Sequence, residues 1–270
     1  MVVQHNLSAM NTNRQMGVVT SALQKSTEKL SSGYKINRAG DDAAGLSISE
    51  KMRSQIRGLN KASDNAQDGI SLIQVAEGAL NETHSILQRM NELATQAAND
   101  TNTSVDRLSI KDEIEQLNEE LDRISTTTQF NKQDLLTGGF SGKLQVGALK
   151  GQTMDVKISL AVSAKGLNVS AVEVSTNAKA GAAMQSIQDA IESVSKQRSK
   201  LGAIQNRLEH TINNLDTNAE NTQAAESRIR DTDMADEMVQ YSKNNILSQA
   251  GQSMLAQANQ QTQGVLSLLG

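Results

Sequence analysis

The chain has 270 residues and contains no Pro, no Cys and no Trp, with only two Phe and two Tyr. The absence of Cys excludes disulfides and thiolate metal sites. The net charge of -4, with both signs interspersed, gives no footprint for nucleic acid or for an anionic membrane. Aromatic residues normally carry much of a globular core, so aliphatic residues must pack here along seams between long helices. The composition therefore predicts a helical rod or bundle and argues against an enzyme pocket.

The two chain ends, residues 1–42 and 226–270, show helical spacing of apolar residues. The apolar stripes, or seams, that this spacing forms are narrow and are interrupted by polar residues. The first residues lack the basic and apolar regions of a conventional secretory signal. No apolar run approaches the roughly 18 residues that a membrane span needs. Considered alone, these features favour a cytoplasmic location. The C-terminal end is apolar, which is typical of a segment that needs a partner.

Three strong helical seams lie between these ends. The first is a heptad repeat with one polar position, Thr83, and consists of Ile73, Ala76, Leu80, Leu87, Met90, Ala94 and Ala97. The second and third are Ile110, Ile114, Leu117, Leu121 and Ile124, then Ile187, Val194, Leu201, Leu208 and Leu215. Asp64, with Gln67 three residues on, predicts the N-cap of a helix over about residues 65–98. Such a helix would be roughly 50 Å long and requires a partner.

The period of the apolar residues changes to two between the second and third seams. Apolar and polar residues alternate on both sides of a turn predicted at residues 149–152. This pattern predicts one small β-hairpin, about residues 143–162, with one buried face. Phe130 and Phe140 flank its approach and predict a small local core.

The sequence contains no constellation of catalytic, cofactor-binding or metal-ligating residues. His5, His84 and His210 are scattered and lack the spacing of a metal site. Lys and Arg never cluster with aromatic residues, so bases of a nucleic acid would have no stacking platform. Adjacent Asp41 and Asp42 are better explained as the start of a helix, where carboxylates favour the helix dipole. We therefore expect no enzyme activity, no cofactor, no nucleic acid and no membrane partner.

Two long segments resemble the two ends of bacterial flagellins. Residues 30–49, LSSGYKINRAGDDAAGLSIS, are similar to the N-terminal flagellin signature. Residues 241–261, YSKNNILSQAGQSMLAQANQQ, and the final residues 265–269, VLSLL, are similar to the C-terminal end of flagellins. The resemblance covers nearly the whole chain, and two motifs in the right order make it specific.

The flagellin resemblance implies a mainly α fold, a long antiparallel coiled-coil-like bundle with one hairpin and paired terminal helices. Residues 1–42 and 226–270 would form the innermost helical pair, D0, and residues 43–225 the D1 rod. Only about 38 residues, from Gly139 to Thr176, occupy the place of the variable outer insertion of flagellins. The resemblance therefore implies a short, core-only flagellin without the D2 and D3 domains.

The resemblance also implies partners and a location. The chain would polymerise with other copies into the flagellar filament, outside the cell, after uncleaved passage through the flagellar type III export apparatus. An export chaperone, the filament cap and the junction proteins would be further partners. The residues expected to serve polymerisation and chaperone binding are Met254, Leu255, Val265, Leu266, Leu268 and Leu269.

Residues 88–96, QRMNELATQ, are similar to the flagellin segment that the host Toll-like receptor 5 recognises. The resemblance implies a receptor-recognition set consisting of Gln88, Arg89, Glu92, Leu93, Gln96 and, on the neighbouring helix, Glu113. Arg89 and Leu93 are four residues apart and would share a helix face. Because Leu93 lies off the heptad seam, we expect it to be an exposed apolar anchor beside Arg89.

Two alternatives to a filament subunit stay open at this point. A hook–filament junction protein would share the terminal helices, although the intact segment from Asp41 to Leu46 and the short middle favour a filament flagellin. A cytoplasmic signalling coiled coil would also lack Pro, but it would have uninterrupted heptads and neither a hairpin nor an apolar tail.

Overall fold

The computed structural model describes residues 6–269, with side chains described for residues 6–261. The chain forms helices α1 (Leu7–Ser32), α2 (Ala43–Ala97), α3 (Ser104–Thr127), α4 (Asn177–Arg230) and α5 (Met234–Leu269). Its strands are β1 (Gln129–Phe130), β2 (Gln133–Asp134), β3 (Phe140–Gln145) and β4 (Thr153–Ile158). The predicted mainly helical fold with paired terminal helices is confirmed. Two compact units are formed, one from the chain ends up to residue 54 and from residue 221, the other from residues 55–220. The division into D0 and D1 at residues 42 and 226 stays a prediction.

The core of the unit formed by residues 55–220 consists of the three predicted seams. Every residue of the α2 and α4 seams is buried, and on α3 only Leu117 is half-buried. Helices α2 and α3 run antiparallel, since Arg107 bonds to Ala97 whereas Glu113, later on α3, pairs with the earlier Arg89. Helix α4 is also antiparallel to α2, since Arg198 pairs with Glu77 whereas Asp216 bonds to Ser63. Thr83, the one polar seam residue, satisfies its hydroxyl by donating to the carbonyl oxygen of Ala79 at 2.9 Å.

The helix start predicted at Asp64 is wrong. Helix α2 begins at Ala43 and runs without interruption through Asp64, whose carboxylate lies on the exposed side and pairs with Lys61 at 3.4 Å. The physical reason is the lack of a breaker: residues 43–64 contain no Pro, and an isolated Gly weakens a helix by only about 1 kcal/mol. Asp64 and Gln67, which match a capping pattern, are therefore two exposed polar residues in the middle of α2.

The predicted hairpin is present as β3 and β4, and a second strand pair accompanies it. Strand β4 alternates between exposed and buried residues as expected, and Gly151 forms the turn with a φ of 90°. The second pair, β1 with β2, turns at Asn131 and Lys132, which both have positive φ. Phe130 and Phe140 pack against the same buried cluster as the helices, so the small core predicted beside the hairpin is continuous with the main core.

Small residues of α2 allow the hairpin to lie close to the helix. A Cβ atom on Gly58 would be only 2.8 Å from the Cβ of Ala148, and one on Gly69 would be 2.3 Å from a methyl of Leu144. Between them, the side-chain amide of Asn65 donates to the carbonyl oxygen of Gln145 at 3.1 Å. Because Gly58 and Gly69 have no side chain, the hairpin can pack directly against the backbone of α2 at these two positions.

The unit formed by the chain ends is an antiparallel pairing of α1 with α5. The side-chain amide of Asn6 donates to the carbonyl oxygen of Ala258, and Lys29 pairs with Glu237 at 3.3 Å. Among its described residues, Ile36 is the only apolar residue that is buried. Two helices alone cannot enclose a core, so this pair leaves its apolar residues at least partly exposed.

We predict opposite effects of the same substitution at two glycines of α2. Gly78→Ala, with nothing within 4 Å of the added Cβ, should raise stability by about 0.5–1 kcal/mol through helix propensity. Gly58→Ala should lower it by about 1–3 kcal/mol, because the added methyl overlaps Ala148. Urea unfolding of the two variants checks this, and a stabilised Gly58→Ala would contradict the close packing of the hairpin.

Candidate functional site

The flagellin-like segment at residues 30–49 contains the turn between α1 and α2. Helix α1 ends at Gly33, whose φ of 75° is left-handed and whose N–H donates to the carbonyl oxygen of Lys29 at 2.8 Å. Ile36 then turns inward and is 4 % exposed. A Cβ atom on Gly45 would be 2.8 Å from a methyl of Ile36 and 2.4 Å from the Asp42 carboxylate. Gly33 is therefore favoured by the backbone conformation, and Gly45 by the close packing of the Ile36 and Asp42 side chains.

Asp41 and Asp42 have separate structural tasks. The Asp42 carboxylate accepts from the N–H of Gly45 at 2.9 Å and caps the start of α2, which confirms the predicted helix start. The Asp41 carboxylate accepts from the N–H groups of Arg38 at 3.0 Å and Asn37 at 3.2 Å. These two bonds hold the pKa of Asp41 below its ordinary value, because they favour the ionised form.

The turn between α4 and α5 is tied to the same segment. The N–H of Lys35 donates to the carbonyl oxygen of Arg230 at 2.7 Å, and the N–H of Thr232 donates to that of Gly33 at 3.0 Å. The Arg230 guanidinium lies 4.7 Å from the centre of the Tyr34 ring and pairs with Glu50 at 3.0 Å. The two turns therefore form one connected structure.

Helices α1 and α5 carry a large exposed apolar surface. The large apolar residues exposed on this surface are Leu7, Met10 and Val18 on α1 and Met234, Met238, Val239, Ile246, Leu247 and Met254 on α5. Leu255 is half-buried. Four of the predicted tail residues, Val265, Leu266, Leu268 and Leu269, have side chains outside the described residues.

The receptor-like segment lies on α2, opposite the start of α3. Arg89 donates from Nη2 and Nε to Oε1 of Glu113 at 2.9 and 3.0 Å, and from Nη1 to Glu92 at 3.3 Å. These carboxylates raise the pKa of the guanidinium further. Gln88 and Gln96 are exposed on the same stretch of helix. Five of the six predicted residues are thus accessible side chains.

Leu93 is the exception, and the prediction that it is an exposed anchor is wrong. Its side chain is 1 % exposed and belongs to the main core. The heptad rule assigns one buried seam to a helix with one partner. Helix α2 contacts both α3 and α4 here, as Arg107 and Asn177 show by bonding to the carbonyl oxygens of Ala97 and Ala98, so its buried face is wider.

The described residues contain no candidate metal-binding cluster and no candidate membrane-spanning helix. They contain no group of His, Asp or Glu that could hold a metal ion. No helix in the described part of the chain is long and apolar enough to cross a membrane. His84 bonds only through Nε2 to Gln88 at 3.0 Å.

Comparison with known proteins identifies the family. The protein-family model for the bacterial flagellin N-terminal helical region matches residues 3–141. The family model for the flagellin C-terminal helical region matches residues 184–269. The chain belongs to the bacterial flagellin family. The flagellin of Halalkalibacterium halodurans is 56 % identical over 271 aligned positions, and that of Bacillus subtilis 51 % identical over 304, with all of each chain covered.

A solved flagellin structure agrees with this assignment. The crystal structure of Bacillus cereus flagellin has a TM-score of 0.51 and 34 % identity, covering 60 % of this chain and 94 % of that chain. As a flagellin, the chain is a structural subunit that polymerises with other copies into the extracellular filament used for motility, and it is not an enzyme. The signalling coiled-coil alternative is thereby excluded.

We predict that Asp41 contributes pH-dependent stability. Its pKa in the folded chain is below the ordinary 3.8, so its contribution is present above that value and is lost as the pH falls through the lower folded pKa. Asp41→Asn should therefore lower the unfolding midpoint at pH 7, and the deficit relative to the unsubstituted chain should shrink below about pH 4. Thermal unfolding from pH 7 to pH 2.5 tests this; a deficit that does not change with pH would contradict it.

Proposed function

We propose that the paired helices α1 and α5 are the principal polymerising element of this flagellin. The observation that carries this proposal is their exposed apolar surface: no described apolar side chain on either helix is buried in the single chain. Val239, for example, is 66 % exposed. Exposed apolar surface of this extent favours association, and a filament supplies further copies of the same helices.

We expect the contact between copies to join two different surfaces of the subunit. When one surface of a subunit binds a different surface of the next and the rotation does not close, the product is an open helical filament. Any part of the terminal helices that orders only at docking would oppose spontaneous assembly before export, because folding coupled to binding costs free energy. This supports a chain that stays monomeric until it reaches a growing end.

The same apolar surface supports the proposed export partners. A chain that exposes Met254 needs a chaperone to prevent premature association, and the apolar residues 265, 266, 268 and 269 follow it in the sequence. Uncleaved passage through the flagellar type III apparatus, then assembly beneath the filament cap and onto the junction proteins, completes the proposed route.

We predict that polymerisation depends on the apolar face of α5. Val239→Asp should abolish seeded filament growth, because assembly would bury a charge. Gln240→Asp, at the adjacent exposed position, is the matched control and should still form filaments. Electron microscopy after seeding checks both variants, together with a chain lacking residues 1–42 and 226–270, which should not polymerise.

Circular dichroism of the monomers distinguishes assembly from folding. Both single variants should keep the helical signal of the unsubstituted chain, since both side chains are exposed. Filaments of normal length from Val239→Asp, or from the truncated chain, would contradict the proposed role of α1 and α5.

A second proposed function is recognition by host Toll-like receptor 5 through α2 and α3. The observation favouring it is the fixed position of Arg89, which Glu113 and Glu92 hold from two helices while its side chain stays half exposed. An immobilised Arg loses little conformational entropy on binding, and Arg is enriched among residues that dominate binding energy. The buried side chain of Leu93 would contribute indirectly, by packing in the core beneath the exposed residues of the receptor-like segment.

We predict that Arg89→Ala raises the concentration needed for half-maximal receptor activation by about tenfold. Arg123→Ala is the matched control, because Arg123 forms a comparable exposed pair with Glu120 on α3. Reporter cells that express the receptor provide the measurement. Equal activation by the two variants would remove Arg89 from the proposed interface.

A further inference from the structure

The tip of the β3–β4 hairpin is a rigid, exposed knob. Leu149 is 68 % exposed at the turn. The side-chain amide of Gln145 donates to the carbonyl oxygens of Gly147 and Leu149, both at 2.8 Å. The N–H of Leu149 in turn donates to the side-chain oxygen of Gln152 at 2.9 Å. Two glutamine side chains thus fix a turn that presents a leucine to solvent, and a fixed group binds with less loss of entropy than a mobile one.

A groove of matching size lies between residues 160–173 and helix α4. One part, about 250 Å³, has Leu160 at its wall and the buried Leu167 and Ala190 beneath it, and the polar residues Asn168, Ser186, Asp189 and Ser193 also line it. Ser186 links it to a second part of about 300 Å³. An apolar cavity of about 150 Å³ accommodates benzene, so the first part is large enough for the side chain of one leucine.

The charges beside the knob and the groove are opposite and uncompensated. Lys150, next to Leu149, forms no ion pair with any described side chain. The Asp189 carboxylate accepts a hydrogen bond from Gln185 at 2.9 Å, and no described cation pairs with it. A leucine in the groove would bring the adjacent ammonium near this carboxylate.

Knob and groove lie far apart along the helices of one chain. Ala148 at the tip packs on Gly58 of α2. The antiparallel pairing of Arg198 with Glu77 places Ser186 level with about residue 89 of α2. The intervening 31 or so residues correspond to about 45–50 Å at 1.5 Å per residue. The knob of one chain cannot reach the groove of the same chain.

We propose that Leu149 of one copy inserts into the groove lined by Leu160, Leu167 and Ala190 of the next copy, with Lys150 beside Asp189. The proposal rests on the chain being a filament subunit, because polymerisation supplies the second copy. A contact between two different surfaces of one subunit is the heterologous kind that propagates a filament. It offsets successive copies by about 45–50 Å along the helix axis, so that their longer helices overlap side by side.

Cross-linking in the filament tests this contact directly. The chain has no Cys, so the double variant Leu149→Cys, Ser186→Cys places one thiol on the knob and one in the groove. Oxidised filaments should give a ladder of covalent oligomers, since each copy would join two neighbours. Leu149→Cys with Ser85→Cys, which lies exposed on α2, should give none. Filaments of the first variant that yield no ladder would overturn the contact.

Three substitutions test the energetics without relying on cysteine geometry. Leu149→Asp should raise the critical concentration for polymerisation by about tenfold or more, whereas Leu149→Met should leave it nearly unchanged. Lys150→Glu should also weaken assembly, and the double variant Lys150→Glu, Asp189→Lys should restore it. Unchanged polymerisation of Leu149→Asp would overturn the proposal.

The outcomes separate this contact from the function on which it rests. If the unsubstituted chain forms filaments but the cross-link and Leu149→Asp show no effect, the filament role stands and the knob contact fails. If seeded, unsubstituted chain forms no filaments at all, the filament role and the contact fail together.

Discussion

The near absence of aromatic side chains is the constraint on which this structure depends. Without rings to fill volume, the chain buries aliphatic stripes, and one stripe on one helix encloses nothing. In the unit formed by residues 55–220, helices α2, α3 and α4 place most of their seam residues in one buried cluster, together with residues of the hairpin. The hairpin then has to approach a surface of small side chains, which explains why Gly58 and Gly69 lie where it contacts α2.

The unit formed by the chain ends also has to bury aliphatic stripes, but it has only two helices with which to do so. The pair α1 and α5 has sufficient length but no third helix, and Ile36 is the only buried apolar residue in that described unit. A compact domain would not tolerate this, since burial of apolar area is the main source of stability. In the assembly proposed above, neighbouring copies would cover the apolar residues that α1 and α5 leave exposed.

Periodicity predicted the three seams and the hairpin because both are properties of successive residues. It could not predict what depends on neighbours. The heptad spacing did not reveal that Leu93 is buried, since that follows from α2 having two partner helices at this level. The pair of strands β1 and β2 was missed because its turn consists of Asn131 and Lys132, without the Gly that usually marks positive φ. The site residues came from a family resemblance, since exposed polar residues on a helix have no period of their own.

The α2–α3 face illustrates how structure and recognition can use neighbouring positions differently. Exposed ion pairs add little to stability, so the pairing of Arg89 with Glu113 is not what holds the two helices together. Leu93, Met90 and Ile114 do that from the buried side. Folding therefore constrains the outward side chains only weakly, and a partner can select them. In the receptor interface proposed above, Arg89 would make the exposed contact, and the buried Leu93 would support the helix beneath it.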